Sequence, residues 1–276
     1  MSVGISVTFW GVRGSVPTPG GGHAGVGGNT TCVEVQLPSG DRVLIDGGTG
    51  ARALGAKLMQ ETAGRELSLH MLLTHFHWDH IQGIPFFQPL FSDSTDFTFY
   101  AMTPPAETAA RLQKQMAGPY FSVGFDALRA KIRYAAVDEG KLGFGNTSIT
   151  SFPLSHPQGC RGYRFECAGS SVVFASDFEY GDPKFDRILL EAADGADVLI
   201  LDAQYTPAEY EVHRGWGHTS WLSATQIART AGAKKLVLFH HDPAHDDAAM
   251  ESILQDAQEQ FPGTSLAKEG DRIELP

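Results

Sequence analysis

Between positions 74 and 80 the chain reads Thr74-His75-Phe76-His77-Trp78-Asp79-His80, directly after the run Leu69, His70, Met71, Leu72, Leu73. Any fold for this chain must end a strand near His75 and start a helix near Asp79, with both ends facing a place that other ligands can reach. Histidines two positions apart leave an extended chain on one side, so His75 and His77 can aim at one ion. Asp79 and His80 reach a second ion as the chain bends into a helix. Imidazole with carboxylate favours zinc, with iron and manganese as alternatives. A polar turn in which Asp79 merely caps the helix leaves three converging histidines without a purpose.

Four other apolar runs end in the same way: Leu44-Ile45-Asp46-Gly47-Gly48, Leu154-Ser155-His156-Pro157, Phe174-Ala175-Ser176-Asp177 and Val237-Leu238-Phe239-His240-His241-Asp242-Pro243. Taken singly, an Asp or His after a strand is more often a turn former. Around these ends, residues 5–10, 32–37 and 42–46 read as an antiparallel meander and 51–63 as a helix. Strands follow at 69–73, 148–153, 162–167, 171–175, 198–201 and 236–239. Helices are expected at 106–116, 222–231 and 248–261. Strands in series followed by helix and strand, twice over, predict two similar halves packed sheet on sheet with helices outside, in one domain spanning 1–276. Residues 86–138, rich in aromatics and proline, read as an insertion forming a lid over the ligand-bearing edge.

Composition narrows the function. The hydrophobic share of 42% supports a sizeable core, and a net charge of −11 argues against a broad basic surface for nucleic-acid phosphates. Cys32, Cys160 and Cys167 form no C-x-x-C pair, so buried free thiols are expected. The opening Met1-Ser2-Val3-Gly4-Ile5-Ser6 has no basic or apolar leader, and no run of about 18 apolar residues follows. A soluble, cytoplasmic protein without a membrane partner is the expectation, with a homodimer left open.

In this order, the strand ends and the T-H-x-H-x-D-H core resemble the metallo-β-lactamase superfamily across nearly the whole chain. The resemblance implies an α+β four-layer αββα sandwich with two mainly antiparallel sheets. It also implies two divalent metal ions: His75, His77 and His156 for the first, Asp79, His80 and His240 for the second, and Asp177 bridging both. His241 is the alternative to His240. Asp46 would brace the histidine loop rather than bind metal. Trp216-Gly217-His218-Thr219-Ser220 resembles the G-H-S-T segment of tRNase Z and related phosphodiesterases. Asp202 stands where those enzymes have a glutamate, and would hold His218 as proton donor to the leaving group.

The branch so implied hydrolyses phosphodiesters, with a metal-bridging hydroxide as nucleophile. Acidic charge and the short interval from His156 to Asp177, which leaves no room for a tRNA-binding arm, point to a small phosphodiester such as a 3′,5′-cyclic nucleotide, without an extended nucleic-acid surface. Tyr120 and Phe121 in the lid would stack on a base. Arg13 would bind either a phosphate or backbone carbonyls, while His23, His213 and His245 read as surface residues. Competing functions are hydrolysis of a lactone or thioester, a tRNase Z-like nuclease, and a non-catalytic ligand sensor.

Overall fold

Parallel strands all send their C-terminal ends to one edge of a sheet, and this chain uses that property twice. The computed structural model describes residues 4–137 and 140–276. Met1 to Val3, where the expected N-terminal run begins, and Asp138, the last residue of the expected lid, lie outside the described residues. The first sheet is built from β1 (Ser6–Gly11), β2 (Cys32–Gln36), β3 (Arg42–Ile45), β4 (Leu67–Leu72), β5 (Thr95–Ala101), β6 (Lys131–Ala136) and the late β14 (Arg272–Glu274), in the order β14-β1-β2-β3-β4-β5-β6. The second holds β7 (Lys141–Phe144), β8 (Thr147–Leu154), β9 (Cys160–Cys167), β10 (Ser170–Ala175), β11 (Val198–Asp202), β12 (Leu236–Phe239) and β13 (Thr264–Leu266), in the order β13-β12-β11-β10-β9-β8-β7.

Both sheets are mixed rather than mainly antiparallel. The β1–β3 meander is antiparallel as expected, but β3 to β6 are parallel, and so are β10 to β13. Parallel neighbours need crossovers, which α1 (Ala51–Thr62), α2 (Trp78–Ile81) and α3 (Pro105–Gln115) supply in the first half. The second half uses α4 (Pro183–Ala193), α6 (Trp221–Thr230) and α7 (Asp247–Gln260), with α5 (Pro207–Val212) before α6. One apolar cluster, with Val7, Val33, Phe165, Phe174 and Phe239, fills the space between the sheets and continues under α4, α6 and α7. A second, with Leu54, Leu58, Met71, Phe97, Phe99 and Leu112, seals α1 and α3 onto the outer face of the first sheet. These are the four layers of an αββα sandwich.

Residues 86–138 are not an insertion set apart from the fold. They contribute β5 and β6 to the first sheet, and α3 is the crossover between them. The alternation of Phe97 and Phe99 with polar neighbours makes β5 a strand buried on one face. Between β5 and β6, residues 102–130 leave the sheet, and there α3 lies over the histidine turn: Gln115 Nε2 donates to Ile81 O at 2.6 Å, and the Arg111 guanidinium covers the Phe76 ring at 4.8 Å. No helix among the described residues is long and apolar enough to cross a membrane.

Candidate metal centre

Register brings the ligand-bearing ends together. Ile45 lies beside Leu72, so Asp46 and the residues after Leu73 emerge side by side; Ala175 lies beside Leu201, and Asp202 beside Phe239, which aligns Asp177, Asp202 and His240. Asp46, Asp177 and His240 have φ of 60°, 59° and 61°. Asp and His enter this left-handed region more readily than most residues, and there it turns each side chain inward at the strand end. The two sheets are tied at this edge by Tyr163 Oη donating to Leu73 O at 2.8 Å and Arg161 N donating to Thr74 O at 3.1 Å.

All seven expected donors converge. The donor atoms of His75, His77, His156 and Asp177 lie within 4.8 Å of one another, and so do those of Asp79, His80 and His240. Asp177 faces both groups: Oδ1 is 3.2 Å from His80 Nε2 and 3.3 Å from His240 Nε2, while Oδ2 is 3.6 Å from His75 Nε2 and 3.7 Å from His156 Nε2. Asp79 Oδ2 lies 3.2 Å from His240 Nε2 and 3.3 Å from His80 Nε2.

Hydrogen bonds around the rings assign their tautomers. His80 Nδ1 donates to Asp46 Oδ2 at 2.7 Å, His156 Nδ1 to Gly217 O at 2.8 Å, and His240 Nδ1 to Gln204 Oε1 at 2.9 Å. Thr74 Oγ1 donates to Asp46 Oδ2 at 2.8 Å and so accepts from His75 Nδ1 at 3.0 Å. His77 donates through Nε2 to Gln158 Oε1 at 2.9 Å, which turns its Nδ1 toward His156. In its neutral form each of the five rings therefore presents an unprotonated nitrogen inward. Among the described residues, Nε2 of His75 and of His80 are buried without a hydrogen-bond partner. Buried polar atoms without partners are rare in folded proteins; a divalent cation would supply what these two lack, and nitrogen with carboxylate oxygen is a suitable donor set.

Charge leads to the same fit. The ion-pair partners of Asp46, Asp79 and Asp177 are histidines, with no Lys or Arg among the described residues. Burial opposes ionisation of Asp177, yet His240, His80 and His75 hold it well below the usual carboxylate range. Burial, with His80 next, drives His75 well below the usual imidazole value and keeps it neutral, the form a metal ligand needs. His80 is also pressed down by burial, but Asp177, Asp79 and Asp46 outweigh this and raise it, which marks surplus negative charge where a cation would stand.

His218 stands beside this cluster, its ring centroid 4.9 Å from that of His240. Nδ1 donates to Asp202 Oδ2 at 2.8 Å, so the shorter Asp reaches the ring. His241 faces away: Nε2 donates to Ala267 O at 2.9 Å, and burial lowers its pKa to about 3. Arg13 is fully buried and binds carbonyls, donating through Nε to Gly27 O at 2.8 Å and through Nη1 to His245 O at 2.6 Å and Asp242 O at 3.0 Å. His245 is buried rather than on the surface, 2.9 Å from Glu209 Oε1.

The expected base stackers separate. Tyr120, 82% exposed, shares a hollow of about 400 Å³ with Phe76, Trp78 and Arg111, whereas Phe121 packs against Phe86 and lines a different hollow with Met116 and Phe125. Gln158, Gln204 and Glu179 escaped the sequence reading. Glu179 accepts from the backbone N of Gly215 at 2.6 Å and of Gly217 at 2.9 Å, fixing the loop that carries His218. Nothing local in sequence marks these three, because each serves a residue far along the chain.

Residues 41–241 match the model of the beta-lactamase superfamily domain. The chain belongs to that superfamily. Among relatives, it is 26% identical to ribonuclease Z of Haloferax volcanii over 99% of this chain and 95% of that protein. With ribonuclease Z of Brevibacillus brevis it shares 38% identity, over 36% of this chain and 31% of the relative's length. Similar solved structures are the metallo-beta-lactamase fold protein YhfI of Bacillus subtilis (TM-score 0.75, 22% identity, 98% and 99% of the two chains), a diphosphatase from the PhnP family (0.71, 20%, 99% and 98%) and the short form of human tRNase Z (0.67, 19%, 98% and 99%).

These relatives correct the expectation of a small substrate and no nucleic-acid surface. A chain of this shape aligns almost end to end with an enzyme named as a ribonuclease. Net charge was the wrong guide, because a phosphodiester is met by the local field of the centre and not by the average of the surface.

Proposed function

We propose that this chain is a phosphodiesterase acting on a nucleotide phosphodiester, the bond common to RNA and to a 3′,5′-cyclic nucleotide. The observation that carries the reading is the His218–Asp202 pair, 2.8 Å apart and set against a two-part donor cluster. A scissile phosphodiester has a poor alkoxide leaving group, and a positioned imidazolium is suited to protonate it.

His75, His77 and His156 would hold one divalent ion, Asp79, His80 and His240 the other, with Asp177 between them; zinc suits the set best. Ions held there supply Lewis acidity toward phosphoryl oxygen and make water acidic enough to ionise near neutral pH. Asp202 accepts from Nδ1 and its charge favours the imidazolium, so His218 carries a second proton on Nε2, facing the cluster. Asp202 also accepts from the backbone N of Thr219 at 3.0 Å and of Asp177 at 3.1 Å, so one carboxylate sets the proton donor and the bridging ligand in register. Residues 102–130 would shield the cluster, and Tyr120, Phe76 and Trp78 offer a stacking surface for a base.

The test is hydrolysis of bis(p-nitrophenyl) phosphate by the purified protein, with metal counted on the same sample. p-Nitrophenyl phosphate, a simple lactone, a 3′,5′-cyclic nucleotide and a short RNA are run alongside. Diesterase activity that a chelator abolishes and zinc restores supports the reading. Lactone hydrolysis alone, or full metal occupancy without turnover, sinks it.

A further inference from the structure

Beside the donor cluster, on the flank formed by His156 and the loop leading to His218, lies a cavity of about 460 Å³. That volume is within the range of small-ligand sites. Met102, Pro157 and Phe185 give it apolar walls, and Arg161 is the cation among its lining residues.

Arg161 begins β9 next to the histidine turn, where its own N donates to Thr74 O. Its Nη1 is shut off from solvent and has no hydrogen-bond partner among the described residues, while the side chain as a whole is part-exposed. Arg164, on the same strand, shows the ordinary arrangement: Nη1 donates to Ala192 O at 2.8 Å and Nε pairs with Glu166 at 3.0 Å. Glu179 also lines the cavity, but its carboxylate oxygens are engaged by Gly215 N, Gly217 N and the Tyr210 hydroxyl. A buried guanidinium nitrogen without an acceptor is unfavourable by itself. It becomes favourable when a ligand brings the acceptor, above all an anionic one.

We propose that this cavity is a subsite for a second phosphate of the substrate, one beyond the scissile diester, and that Arg161 binds it. The inference rests on the phosphodiesterase reading only for what happens at the neighbouring cluster. Its meaning is a substrate class: nucleotides carrying a further phosphate, whether the next one of a chain or a terminal one, rather than those whose only phosphate is the bond being cut.

Two measurements on the metal-loaded protein test it. The first is equilibrium binding of adenosine 3′,5′-bisphosphate against adenosine 5′-phosphate, to wild type, Arg161→Met and Arg161→Lys. Wild type is expected to favour the bisphosphate about tenfold or more, the scale of one charge-assisted contact. Arg161→Met should bring the ratio near one, while Arg161→Lys keeps part of it. The second is kcat/KM for the dinucleotide ApA against pApA and ApAp, where the phosphorylated forms should be preferred in wild type and not in Arg161→Met. No preference in wild type, or one that survives in Arg161→Met, overturns the subsite. If a binding preference vanishes with Arg161→Met but no dinucleotide is cleaved, the subsite stands and the phosphodiesterase reading falls.

Discussion

His218 Nδ1 lies 2.8 Å from Asp202 Oδ2, and the same carboxylate receives the backbone N of Asp177. The proposed proton donor and the proposed bridging ligand thus share one anchor. Burial alone would depress His218, but the Asp202 charge and hydrogen bond, with Asp177 and Asp79, raise its pKa to about 9. An acid must be protonated to act, so activity is present below this pKa and lost as pH rises through it. Asp202→Asn removes the chief raising influence and should move the alkaline limb of the kcat/KM profile to lower pH. A limb that stays in place would take Asp202 out of this role.

His218→Ala should lower kcat by about 10²-fold or more, the loss expected when a general acid is removed. Metal content per chain should match wild type, since the donors of both groups remain. His75→Ala is the contrasting variant and should lose metal together with turnover. Equal kcat in His218→Ala and wild type would exclude His218 from the chemistry.

Asp46 touches no substrate, yet it accepts from Thr74 N at 2.8 Å, from Thr74 Oγ1 and from His80 Nδ1. Asp46→Ala should weaken metal affinity by about 10- to 100-fold, the range for lost partners of metal-bound histidine. Competition with a chelator of known affinity measures it. Wild-type affinity in this variant would show that the loop holds itself.

Arg13 satisfies three carbonyls from inside the protein. Arg13→Met should destabilise the fold by about 3 kcal/mol, because buried carbonyls lose charge-assisted bonds with no water to replace them. Denaturant unfolding of metal-free protein gives the value without the contribution of the centre. A change below about 0.5 kcal/mol, within the range of surface substitutions, would contradict this account.

His70 packs edge-on against Phe144 with ring centroids 4.7 Å apart, and burial lowers its pKa from 6.5 despite Asp41 and Asp96. The unfolded chain then binds the proton more readily, so the contribution to stability is present above about 6.5 and lost as pH falls below it. His70→Phe should flatten the fall in Tm between about pH 7 and pH 5 relative to wild type. An unchanged slope would show that His70 titrates alike in the folded and unfolded states across that window.

Strand ends and their ligands were legible in the sequence because they are local: an apolar run followed at once by Asp or His states both the strand and where it stops. Strands β5, β6, β7, β13 and β14 were not. Four of these five are short or edge segments that become strands by pairing with a neighbour, and β5 lay hidden in a stretch whose prolines and aromatics suggested a lid.

By itself the sequence determined which strand ends carry candidate donors and the superfamily they resemble; that Asp202, one methylene shorter than glutamate, reaches His218 is a tertiary fact. Tertiary structure alone decided between His240 and His241, because a left-handed residue at the strand end sends adjacent side chains to opposite surroundings, one toward Asp177 and one toward Ala267. It also decided that Arg13 is a clamp, that Gln158, Gln204 and Glu179 hold the site in place, and that Arg161 faces a cavity without an acceptor. Each of those roles depends on a partner distant along the chain, and only the closed sandwich, with its parallel strands ending on one edge, brings such partners within hydrogen-bond reach.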